Sequence, residues 1–121
     1  MKLHLATGGQ NLFTGYGPGY VVVNDVRRDT HLVVSAMQIL EWDIADFEAL
    51  GPHHFESLLA QKPEIVILGT GSTQRFPHPS LSQSLYSAGI GLEVMDTKAA
   101  CRTYNILCAE GRKVVAAVLI E

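Results

Sequence analysis

Ile65-Val66-Ile67-Leu68 is an uninterrupted apolar run, closed by Pro63 on one side and Gly69 on the other. A short β-branched run between turn residues reads as a strand buried on both faces, and that requires a sheet covered on both sides. The chain after it keeps the same rhythm. Ser80-Leu81-Ser82-Gln83 has capping-box spacing with Ser80 as N-cap, and Leu81, Leu85 and Ala88 make a buried stripe. Gly89 is placed to end that helix. Gly91 to Met95 reads as the next strand, and Asp96 suits an N-cap. Residues 97–110 make the best helix in the chain, Gly111 stops it, and Lys113 to Ile120 is a final apolar strand. This alternation predicts an α/β layered fold with a largely parallel sheet core.

The first half reads differently. Leu3-His4-Leu5 alternates like a half-buried antiparallel strand. Phe13 to Pro18 looks like a turn region, Gly19 to Val23 a strand, Asp25 to Asp29 a turn, and Leu32 to Met37 another strand. Trp42 and Phe47 are expected to anchor the core. Pro52 suits a first helical turn, Phe55, Leu58 and Leu59 follow at amphipathic spacing, and Pro63 ends that helix.

The length of 121 residues fits a single domain, 1–121. A chain of this size buries roughly two-thirds of its unfolded surface and needs no staples. The net charge is −3 and the nine Lys and Arg are scattered, so nucleic acid is a poor partner for it. No apolar run approaches the ~18 residues of a membrane span, which excludes membrane insertion by a helix. The first residues resemble neither a signal peptide nor a transit peptide, so a cytoplasmic location in a bacterium is expected.

Cys101 and Cys108 lie seven apart in one expected helix. A rise of ~1.5 Å per residue separates them by ~10 Å, beyond the ~7 Å limit of a disulfide, so both are expected as free thiols. On the helical wheel they share one face with Ala100, Tyr104 and Leu107, while Lys98, Arg102 and Asn105 lie on a flank. No metal-ligand spacing and no cofactor motif occurs. His53 and His54 are adjacent, point ~100° apart on a helix, and are expected at the surface.

The stretch Glu93-Val94-Met95-Asp96-Thr97-Lys98-Ala99-Ala100-Cys101-Arg102-Thr103-Tyr104-Asn105 resembles the signature of a known family. So do the Tyr16 to Gly19 region, Ile39 to Trp42, Leu68-Gly69-Thr70-Gly71, Gly89-Ile90 and Glu110-Gly111-Arg112. The family is the Mth nine-three-eight-like domain of unknown function, which includes the mitochondrial complex I assembly factor 3 and the adipogenesis-associated protein. The resemblance implies a three-layer α/β fold, with a central mixed sheet of about five strands and helices packed on it. The N-terminal antiparallel strands come in addition. It also implies protein partners, since the mitochondrial relative acts in assembly of respiratory complex I.

A candidate ligand pocket is drawn from Gly69, Thr70, Gly71, Ser72, Asp96, Thr97, Cys101, Arg102, Asn105 and Arg112. The glycine loop leaves the carboxyl end of a central strand, where open α/β sheets bind ligands, and its N–H groups could cradle an anion. It is neither GxxxxGK[ST] nor GxGxxG, because Gln74 stands where the third glycine belongs, and a tight strand exit is the plainer reading. Asp96 is either a cap alone or also a base. Cys101 lies past the first helical turn, where the dipole has faded, so an inert thiol is expected. Ser72, His78 and Asp96 include the residue types of a triad without its spacing. Two functions compete: a non-enzymatic protein-interaction or assembly factor, and a small-molecule or anion-binding protein, with or without catalysis. A surface patch built with Tyr16, Tyr20 or Phe76 favours the first.

Overall fold

The computed structural model describes residues 9–121. The strand expected at Leu3-His4-Leu5 lies outside them. The elements in order are β1 (Phe13–Gly17), β2 (Tyr20–Val23), β3 (Val26–Arg28), β4 (Leu32–Ser35) and β5 (Ile39–Glu41). Helix α1 (Pro52–Glu56) runs on as a 3-10 turn over Ser57–Gln61, and β6 (Ile65–Gly69) follows. Then come α2 (Gln83–Ser87), β7 (Gly91–Met95), α3 (Thr97–Ala109) and β8 (Val114–Val118).

Two sheets form. A five-stranded sheet has the order β5-β4-β8-β6-β7, and a three-stranded antiparallel sheet has the order β1-β2-β3. In the larger sheet β6 pairs in parallel with both β7 and β8, while β4 is antiparallel to β8 and β5. The sheet is therefore mixed, as the family resemblance implied, and less parallel than strand–helix alternation suggested. Alternation on the central strands separates two cores. Leu32, Val34, Ile67, Val114, Ala116 and Val118 face α3 and the small sheet, with Ala100, Cys101, Tyr104 and Phe13. Val33, Val66, Leu68, Val115, Ala117 and Leu119 face the other side, with Phe55, Leu58 and Leu85. Period-two alternation with both faces apolar is the pattern of a sheet covered twice, so the fold has three layers. Removing a ring such as Phe55, which is fully buried, costs about 3–5 kcal/mol.

The small sheet corrects two readings. Phe13–Gly17 is a strand, bulged between Phe13 and Gly15, and Pro18-Gly19 closes its hairpin to β2. Gly19 takes φ +77°, the value a type II turn demands at its second corner. Val26–Arg28 is also a strand, because Asn24 (φ 51°) and Asp25 (φ 67°) make a two-residue turn with both corners left-handed. That turn type joins tight hairpins. The residues look polar because β3 is an edge strand.

Helix ends follow the sequence in part. Pro52 opens α1, Gly89 (φ +74°) follows α2, and Gly111 (φ +80°) follows α3. Ser80 and Gln83 form no capping box. His78 Nδ1 instead accepts from the Ser80 amide (3.1 Å), at the start of a 3-10 turn over Pro79–Ser82. Ala88 is exposed, so Leu81 and Leu85 alone carry the inner face of that segment. His54 is buried, because its ring folds back and Nδ1 accepts from the Gly51 amide (2.9 Å). Only His53 of that pair is exposed.

Candidate functional site

The carboxyl ends of β6 and β8, the start of α3 and the β1–β2 turn meet at one edge of the fold. They surround a cavity of about 350 Å³, walled by Tyr16, Pro18, Tyr20, Leu119 and Ile120, with Gly71, Ser72, Asp96, Thr97, Lys98 and Glu121 around them. Each element arrives for a local reason. Asp96 caps α3, its Oδ1 accepting from the Ala99 amide at 2.9 Å, which contributes about 1 kcal/mol. Thr97, next to it, is buried, with its Oγ1 accepting from the Gly71 amide (2.9 Å) and donating to the Leu119 carbonyl (2.7 Å). The Thr97 amide donates in turn to the Gly71 carbonyl (2.9 Å). One hydroxyl thus locks helix, loop and strand together.

The two glycines are needed for different reasons. A Cβ on Gly69 would stand 3.0 Å from Thr97 Oγ1 and 3.1 Å from both Ala100 Cβ and Val118 Cγ1. The strand therefore approaches α3 as closely as it does only because the side chain is missing. Gly71 takes φ +94°, and a Cβ there would land on the Glu121 carboxylate.

The glycine loop already holds an anion of its own. Glu121 Oε1 accepts from both the Ser72 amide and the Ser72 hydroxyl, each at 3.2 Å. Arg75 donates to the other oxygen, Oε2, and also to the Thr70 carbonyl (3.0 Å). Burial pushes the Glu121 carboxyl up, but the Ser72 amide and the Arg75 guanidinium outweigh it and hold it below the ordinary carboxylate range. The guanidinium of Arg75 lies over the Phe47 ring at 4.6 Å. An external anion would have to displace Glu121.

The expected pocket residues divide into groups. Gly71, Ser72, Asp96 and Thr97 line the cavity, while Gly69 and Thr70 are buried and do not line it. Arg102 stands at the Tyr16 side, donating from its NH1 nitrogen to the Tyr16 hydroxyl at 2.9 Å. Asn105 is committed to the backbone of Phe13. Cys101 is buried, and burial pushes its thiol up to about 12, so it is no nucleophile at neutral pH. Arg112 is at the opposite end of the sheet, where its Nε donates to Glu64 at 3.0 Å. Among the described residues no three His, Cys, Asp or Glu side chains are grouped as a metal site.

Sequence reasoning missed Arg75 and Glu121. Nothing local marks them, because they are 46 residues apart and meet only when β8 lies beside β6. Tyr16 and Tyr20, proposed for a surface patch, both line the cavity; Tyr16 is also exposed, while Tyr20 is half-buried and Arg27 covers its ring at 4.0 Å. Phe76 is exposed and does not line the cavity.

Comparison with known proteins gives consistent matches. A family model described as "Protein of unknown function (DUF498/DUF598)" matches residues 13–119. A "13 kDa major membrane protein" of Francisella tularensis is 34% identical, over 84% of this chain and 85% of its own length. The mouse "NADH dehydrogenase [ubiquinone] 1 alpha subcomplex assembly factor 3" is 34% identical, over 72% of this chain and 48% of its own. The chain thus spans about half the length of that relative. A crystal structure of a Bordetella parapertussis protein superposes with a TM-score of 0.88 at 36% identity, covering 93% of this chain and 97% of that one. A solution structure from Bordetella pertussis, described as a Mth938-like domain, gives 0.80 at 31%, covering 91% and 85%.

Proposed function

We propose, from the premise that the chain belongs to the DUF498/DUF598 family of proteins of unknown function, that it is a protein-binding assembly factor acting on NADH dehydrogenase. The observation that carries this reading is the likeness to the mouse assembly factor over 72% of the chain. The site's chemistry favours binding over catalysis. The one thiol near the loop, Cys101, is buried and protonated, and the loop's donors are taken internally, the Gly71 amide by Thr97 and the Ser72 amide and hydroxyl by Glu121. That occupation also leaves the anion-binding alternative without support.

The reading takes residues 1–121 as one binding unit. No helix of the described residues is long and apolar enough to cross a membrane. The name of the Francisella relative sets membrane association beside the expected cytoplasmic location, and fractionation of the source cells decides between them. The functional test is deletion of the gene, followed by native gels of NADH dehydrogenase. Accumulation of partly assembled enzyme, reversed by the wild-type chain, is the expected result. Normal assembly in the deletion strain overturns the reading.

A further inference from the structure

A second concavity, a groove of about 690 Å³, lies at the far end of the sheet from Glu121. It is bounded by the β4–β5 turn, the end of the Ser57–Gln61 turn and the start of β8. Among the described residues its charged lining is of one sign: Lys62, Arg112 and Lys113, with no acidic side chain. Glu64, just outside it, binds the Arg112 guanidinium and the Lys113 amide, each at 3.0 Å, and so neutralises one of the three charges. The ammonium groups of Lys62 and Lys113 have no ion-pair partner among the described residues.

Three further features mark the groove. Met37 and Leu40 are 81% and 46% exposed beside the lysines. Buried Gln61 Oε1 has no hydrogen-bond donor among the described residues. Lys62 holds φ 52° and ψ 52°, a left-handed corner where glycine or asparagine costs less. Nothing inside the fold uses the lysine placed there.

We propose that this groove binds an acidic amphipathic segment of a partner protein, a proposal that rests on the assembly reading above. Apolar side chains of the segment would cover Leu40 and Met37, and the Met37 thioether adapts to varied shapes. Its carboxylates would face Lys62 and Lys113, and a donor would satisfy Gln61. Positive charge here runs against a net charge of −3 for the whole chain, so the groove selects an acidic partner through local complementarity. The first eight residues contain no acidic side chain. Two lysines without an ion-pair contact are too few for a phosphate track, and a concave surface does not match a flat bilayer.

The test uses the full chain labelled with nitrogen-15 and three synthetic peptides of one amphipathic pattern, built from leucine with glutamate, glutamine or lysine. The glutamate peptide is expected to shift resonances of Met37, Leu40, Lys62 and Lys113. Added salt and the double variant Lys62→Glu/Lys113→Glu should each weaken it roughly tenfold. Met37→Ser provides a second variant should the double one fail to fold. Equal or tighter binding of the glutamine or lysine peptide, shifts elsewhere, or no binding by any of the three overturns the proposal. So does preference for anionic phosphatidylglycerol vesicles or an oligonucleotide, or a dimer that the same variants dissolve. The two readings fail separately. If the double variant still restores NADH dehydrogenase assembly in the deletion strain, the groove proposal falls and the assembly role stands. If the deletion strain assembles the enzyme normally, the assembly role falls, while the peptide titration still judges the groove.

Discussion

Asn105 grips Phe13 by both of its backbone groups, accepting from the Phe13 amide at 3.0 Å and donating to the Phe13 carbonyl at 2.6 Å. A helical side chain thereby acts as the missing neighbour strand of β1, and it fastens the small sheet to α3. The Phe13 ring then meets Tyr104 edge-on, with centroids 5.3 Å apart.

Asn105→Ala should cost about 2 kcal/mol, since two hydrogen bonds go and the Phe13 groups lose their partners. Denaturant melts measure the loss, and hydrogen exchange at the Phe13 amide localises it. Asn105→Asp keeps the acceptor and loses the donor, so it should fall between. If the alanine variant melts like wild type, the grip holds nothing.

Thr97→Val should cost about 3 kcal/mol, because the Gly71 amide and the Leu119 carbonyl both lose a buried partner. Thr97→Ser keeps the hydroxyl and should recover most of that. A small loss for Thr97→Val, which keeps the methyl group, beside a large loss for Thr97→Ser would assign the effect to packing of the methyl group instead.

Gly71→Ala should destabilise by about 2 kcal/mol, through left-handed backbone and the collision with Glu121. Adding Glu121→Ala should return part of that, as the collision goes and the backbone strain stays. Strict additivity in the double-mutant cycle would show that the two residues do not touch.

Acid should weaken the fold through two carboxylates. Bonds from the Lys113 amide and Arg112 hold Glu64 below its ordinary value of 4.5. Glu121 is held below the same value despite its burial, by Ser72 and Arg75. A lowered folded value means the stabilisation is fully present above pH 4.5 and is lost as the pH falls through the folded values. Melts taken down the pH scale should show the slope, and Glu64→Gln with Glu121→Gln should flatten it. An unchanged slope refutes the assignment to these two groups.

Both thiols should ignore iodoacetamide in the native protein at mildly alkaline pH and react once it is unfolded, giving two alkylated cysteines. Cys101 and Cys108 are buried and free, and burial pushes the Cys101 thiol up to about 12. Rapid modification of the folded chain would place Cys101 outside the core.

What the sequence revealed, and what it hid, follows from distance along the chain. Ile65–Leu68, the Asp96 cap and the stop at Gly111 are local patterns, and each stands where the residues put it. The strand Val26–Arg28 was hidden because an edge strand does not need apolar residues, although the Asn24-Asp25 corner announced it. At the site, Gly71, Ser72, Asp96 and Thr97 were legible because they cluster around strand exits and helix starts. Arg112 was misplaced because following a helix end says nothing about which edge of the sheet that end reaches. Arg75 and Glu121 were out of reach of any local pattern, since the sheet order β8-β6 alone brings them together.

That same order sets a timetable for a ribosome. The strand at the middle of the sheet, Val114–Val118, is the last of the eight strands among the described residues to be synthesised. Until it emerges, β4 with β5 and β6 with β7 are two fragments with open edges and no shared neighbour. The nascent chain therefore cannot complete its core piecemeal; it closes late, by inserting one strand between two waiting pairs. Non-local pairing of this kind is slow and leaves apolar surface uncovered meanwhile. Truncation just short of Val114 should yield a chaperone-bound or aggregated product, while the same sequence extended through β8 folds after release.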